Sequence, residues 1–130
     1  MIAAILFLAC TNIDRPADLV YDHVACDSCG MVVSDARFAA QLVTRDGERT
    51  QFDDPACLFH YVEDHAPAIA HAWFHDSTHA DDPNAWLDWQ QVAFVEQAGA
   101  PMDGGIAAVP IGAGTMGFSE ASAKVLGARR

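Results

Sequence analysis

The stretch ARFAAQLVTRDGERTQFDDPACLFHYVEDHAP, residues 36–67, constrains the fold more than any other part of the chain. Two runs rich in β-branched and aromatic residues flank Asp46-Gly47, a pair whose backbone accepts the positive φ angles of a tight hairpin turn, so two antiparallel strands are expected there. Immediately afterwards Asp53 or Asp54 can accept hydrogen bonds as a helix N-cap, and Pro55 suits the first turn. Leu58, Tyr61 and Val62 then recur at helical spacing. Pro67 stops that helix, HAWFHD (71–76) reads as a short strand, and STHADDPNA (77–85) as a polar loop.

The plan recurs further along. GIAAVPIGAGTMGFSEASAKVLGA, residues 105–128, offers strand, glycine-rich turn, strand and a helix capped by Ser119, and Phe52 and Phe118 each end a strand just before a helix cap. WLDWQQVAFVEQAGAPM, residues 86–102, reads as the strand that opens this second unit. The expected class is therefore α+β: duplicated ββαβ units, mostly antiparallel strands with one helix per unit, the halves covering about 23–80 and 86–130. With 52% hydrophobic residues in 130, the chain can bury one ordinary core.

The first nine residues, MIAAILFLA, are uninterruptedly apolar but fall short of the roughly 20 residues a helix needs to cross a bilayer. They read as a signal segment. Cys10 follows Leu8 and Ala9, and an apolar run ending in a small residue and cysteine resembles the lipobox of bacterial lipoproteins. Cys10 is then the lipidated first residue of the mature chain, residues 10–22 a polar tether, and the working location the periplasmic side of a membrane, taken as the outer membrane. A net charge of −11 with only seven Lys and Arg excludes a phosphate-backbone partner, so no nucleic acid is expected.

CDSCGM, residues 26–31, places three sulfur atoms in six positions. If the MVV that follows is a strand, Cys29 and Met31 project from one side of it with Gly30 leaving the space between them open. A thiolate beside a thioether is a soft donor set suited to Cu(I) and a poor match for zinc. A third donor is needed, and Cys26 and His23 are both near in sequence. Two other readings of the cysteine pair stand beside this one: a Cys-X-X-Cys thiol-disulfide oxidoreductase, and a Cys26–Cys29 disulfide in a metal-free, lipid-anchored interaction module. Elsewhere, His71, His75 and His79 are four apart but do not all align on a strand. Cys57 and His60 have the spacing of a nucleophile and base on a helix but read as core residues, as does Met102.

Taken together, CDSCGMVV, FDDPACLFHYV, VAFVEQAGAPMDGGIAAVP and GFSEA resemble, in order, the NosL family of lipid-anchored accessory proteins of nitrous oxide reductase. The resemblance implies a Cu(I) metallochaperone rather than an enzyme, delivering copper for assembly of the reductase's copper centres. It implies a duplicated ββαβ fold related to that of organomercurial lyases. It also implies a membrane-bound copper-transfer complex or other nitrous oxide reductase maturation proteins as partners, and copper ligands at Cys29 and Met31.

Overall fold

The computed structural model describes residues 12–129. The proposed signal segment and Cys10 lie outside the described residues. Strands β1 (Ala40–Thr44) and β2 (Arg49–Phe52) form the expected hairpin, with Gly47 at φ 92° in its turn. Asp54, not Asp53, caps helix α1 (Pro55–His65): its Oδ1 accepts the Ala56 N–H at 2.9 Å, and Pro55 occupies the first turn. The helix stops at Ala66, which takes the left-handed conformation ahead of Pro67.

The chain returns through β3 (Ile69–His75), which pairs antiparallel with β1 on the side away from β2. Strand β4 (Trp86–Asp88) then pairs with β3, giving a four-stranded sheet in the order β2-β1-β3-β4. Residues 86–102, expected as one strand opening the second half, divide into two, and only the later part takes that place. The chain reverses at Asp88, where the Gln91 N–H bonds the Asp88 carbonyl at 2.8 Å, and β5 (Val92–Glu96) opens the second half. Strand β5 pairs antiparallel with β6 (Ile106–Pro110) and is followed by helix α2 (Phe118–Arg129). The fold is thus α+β, built from antiparallel pairs, with one helix in each half.

Two further expectations are corrected. The MGF segment is not a full strand: Met116 alone bridges, and its partner is Phe94 of β5 rather than β6. Ser119 lies inside α2 rather than capping it, because the helix begins at Phe118 and the Ala121 N–H already bonds the Gly117 carbonyl.

Both halves share one core. Phe59 of α1 meets Phe74 of β3, Phe94 of β5 and Phe118 of α2 at ring-centroid separations of 5.9, 5.8 and 5.2 Å. Phe74 and Phe94 pack edge to face at 5.0 Å. Edge-to-face rings align positive ring edges with negative faces, so the sheets are joined by specific contacts as well as by apolar burial.

The amino-terminal segment, expected as a tether, is held against the sheet from residue 12 onward. Buried Gln41 exchanges two hydrogen bonds with the Ala17 backbone, at 2.9 and 2.7 Å. Arg49 donates to the carbonyls of Asn12 and Arg15 at 2.6 and 2.9 Å. Long-range bonds to a strand interior satisfy backbone groups that a free linker leaves to water.

On the other side of α1, the cap residue ties down the loop after β5. Asp54 Oδ2 accepts the Met102 N–H at 2.9 Å. A Cβ on Gly104 would stand 2.5 Å from Asp54 Oδ1 and 2.6 Å from Ala56 Cβ, so the close approach of this loop to the helix start requires glycine. The start of α1 is thereby held in place, and from it Asp53 and Cys57 face the segment that carries Cys26 and Cys29.

Candidate metal centre

Residues 25–32 form a tight loop, not the strand read from MVV. Ala25 and Val32 bridge at its neck, the Cys26 N–H donates to the Met31 carbonyl at 2.7 Å, and the Gly30 N–H to the Cys26 carbonyl at 2.9 Å. Gly30 closes the loop at φ 78°, a left-handed conformation that a side chain disfavours. Local backbone bonds thereby override the β propensity of the two valines. Asp27 pins the loop to the edge of β2: its N–H donates to the Gln51 carbonyl and its carboxylate accepts the Gln51 N–H, at 2.9 and 2.8 Å.

That anchorage sets Cys26 and Cys29 against the start of α1. Ligand atoms of Cys26, Cys29, Asp53 and Cys57 all lie within 4.8 Å of one another. Cys26, Cys29 and Cys57 are all outside disulfides, so the Cys26–Cys29 bridge considered above is not formed. Asp53 is at the centre, its Oδ1 accepting from both Cys29 Sγ and Cys57 Sγ at 3.3 Å. Its Oδ2 is buried and has no hydrogen-bond partner.

The sulfurs differ in character. Cys26 receives a hydrogen bond from the Cys57 thiol and backbone N–H groups from Cys29, Asp53 and Ser28, which together outweigh its burial and lower its pKa to about 6. Cys29 is pushed up to about 11, by burial first and then by Cys26 and Asp53. Cys57 is displaced upward as well, because its proton is shared with the Cys26 thiolate and burial disfavours its charge. The group therefore carries one thiolate and two thiols at neutral pH. An ultraviolet thiolate titration of metal-free protein should show one step at about 6 and the next at about 11. A single step at the ordinary thiol pKa would contradict this arrangement.

The residues singled out in the sequence separate into two sets. Cys26 and Cys29 are brought together. Met31 is half exposed beside them, with its N–H directed at Cys29 Sγ and its side chain toward solvent. His23 is exposed in the preceding turn and lies outside the gathered donors. Cys57 and Asp53 are the donors that sequence reasoning passed over. The available signal was the doubled Asp53-Asp54: one aspartate caps the helix, leaving the other and the first-turn Cys57 free to face across to the loop.

The histidines do other work. His71 sits between Asp14 and Asp88, and buried His75 between the carbonyls of Asp76 and Asp82. His60 is outside the gathered donors and lines a cavity of about 230 Å³ with Met102, Gly104 and Val125. The Cys57–His60 pair is therefore not assembled.

The NosL family model matches residues 18–123. No curated protein matches the chain. Among solved structures, the copper chaperone NosL from Shewanella denitrificans superposes with a TM-score of 0.64, 15% identity and 87% of each chain covered. At that identity the similarity establishes a shared fold.

Proposed function

The chain belongs to the NosL family, and from that premise we propose that it is a Cu(I)-binding metallochaperone. The observation that carries this reading is the sulfur cluster itself: the ligand atoms of Cys26, Cys29 and Cys57 converge within 4.8 Å of one another, and Met31, two residues after Cys29 in the same loop, leaves its side chain 52% exposed. Thiolate and thioether donors select a soft monovalent ion, and copper here is cargo. An exposed donor allows a partner's Met, His or Cys to enter and take the ion by ligand exchange. The description of the Shewanella denitrificans protein as a copper chaperone supports the same reading.

The thiol-disulfide oxidoreductase reading draws on the lowered pKa of Cys26, but that sulfur belongs to a residue only 3% exposed and cannot meet the disulfide of another protein. Carriage rather than catalysis is the better use of the site. Nitrous oxide reductase is the proposed client, reached through a membrane-bound copper-transfer complex. Under copper limitation, a strain lacking this protein should make reductase depleted in copper and low in activity, restored by the wild-type gene and not by Cys29→Ser. Full copper loading in the deletion strain would place the client elsewhere. The proposed periplasmic location rests on Cys10 as a lipid anchor. Fractionation tests it: Cys10→Ser should move the protein from membrane to soluble periplasm, and wild-type protein already in the soluble fraction would refute the anchor.

A further inference from the structure

Cys57 is the sulfur that copper ligation at Cys29 and Met31 does not use. It arrives from α1, is 2% exposed, and shares the Asp53 Oδ1 atom with Cys29. From this juxtaposition, and resting on the Cu(I) reading above, we infer that Cys26, Cys29 and Cys57 form an inner three-sulfur Cu(I) position, distinct from an outer transfer position at Cys29 and Met31. Cys29 belongs to both.

The dimensions fit. Three sulfurs around one ion at about 2.3 Å, a typical metal–thiolate length, stand about 4 Å apart. The ligand atoms of this group already lie within 4.8 Å of one another, so closure needs shifts of less than an ångström. The surroundings fit as well. Backbone N–H groups of Ser28, Cys29 and Asp53 converge on Cys26 Sγ and stabilise the negative charge that a copper–thiolate centre retains. Asp53 is 1% exposed and its Oδ2 is left without a partner, a cost in a metal-free protein that a cation within the group offsets.

Loading involves no redox change. Copper forms bonds to three sulfurs, the S–H bonds of Cys29 and Cys57 break, and two protons leave to water. For transfer, the bonds to Cys26 and Cys57 give way to Met31 and an incoming donor of the partner while Cys57 regains a proton; when the partner takes the ion, the bonds to Met31 and Cys29 break and Cys29 regains the other proton. The inner position shields the ion and the outer one exposes it, since Cys26 and Cys57 are buried and Met31 is 52% exposed.

The test is copper X-ray absorption on full chain loaded anaerobically with one equivalent of Cu(I), together with competition against a chromophoric Cu(I) chelator. Met31→Leu, a change at a 52% exposed side chain, should keep three sulfur neighbours at copper and slow release of the ion to the chelator. Cys57→Ser should keep two sulfur neighbours, bind at least ten-fold more weakly and release faster. Only two sulfurs in the Met31→Leu protein would overturn the inner position, even if Cys57→Ser fails to fold. So would wild-type affinity in a folded Cys57→Ser protein alongside lost binding in Cys29→Ser, an outcome that leaves the carrier reading standing. Unchanged affinity in Cys29→Ser would instead place copper on other donors and remove both the inner and the outer position.

Discussion

Cys29→Ser should reduce Cu(I) affinity by more than about 100-fold, since mutating a partner in the outer shell of a metal site already costs about 10–100-fold and this change removes an anionic donor outright. Serine is close to cysteine in size, so the loop keeps its shape. The Cys26 N–H bond to Met31, the Gly30 bond to Cys26 and the Asp27 anchorage to β2 do not involve the Cys29 side chain. The hydroxyl can still donate to Asp53 Oδ1, as the thiol does at 3.3 Å. Binding and folding are therefore separable at this position. Chelator competition should show the loss, and the thermal transition of the metal-free protein should move little. Retained affinity in this variant would mean that copper is bound by some other set of donors.

Phe59→Ala should destabilise the fold by about 3–5 kcal/mol, the usual range for removing a buried aromatic ring. That is a large share of the roughly 5–15 kcal/mol that separates folded from unfolded states in ordinary domains. The reason is position as much as size. Phe59 is 2% exposed and touches one ring from β3, one from β5 and one from α2, so its loss opens a cavity where both sheets and both helices meet. Neighbours fixed in separate elements cannot collapse into that space without moving a strand. Denaturant titration should show a lower midpoint at unchanged slope. A loss below about 1 kcal/mol would mean that the surrounding rings close the gap, contrary to the rigid packing typical of protein interiors.

The two expected losses are of different kinds, because the metal group and the aromatic core meet opposite faces of the same helix turn. Cys57 and Phe59 are two residues apart on α1, one facing the cysteine loop and the other the ring cluster. A core mutation therefore threatens the site indirectly. If α1 loosens, Cys57 and Asp53 lose their fixed relation to Cys26 while the local loop bonds persist.

Local structure was legible in the sequence wherever one short segment holds all the determinants. The Asp46-Gly47 turn fixes the β1–β2 hairpin through its own backbone angles, and Asp54 with Pro55 starts α1 through bonds to residues within reach of its own side chain. The pairing of Cys26 with Cys29 is likewise local, three residues apart in one turn. What only the tertiary structure decided depends on groups distant in the chain. Trp86–Asp88 joins the first sheet because β3 presents an open edge, a property of β3 that no pattern in residues 86–88 contains. The cysteine loop, closed by its own backbone bonds, takes its place beside α1 because Asp27 finds Gln51 on β2, and residues 12–17 lie along the sheet because Gln41 and Arg49 offer partners 24 to 37 residues away. Cys57 read as a core cysteine for the same reason: its burial follows from helical position, but its neighbours come from a loop about thirty residues earlier. A sequence reveals which donors exist and how soft they are, since that is side-chain chemistry, whereas their convergence within 4.8 Å is set by how α1 and the cysteine loop both pack on β2 and on each other.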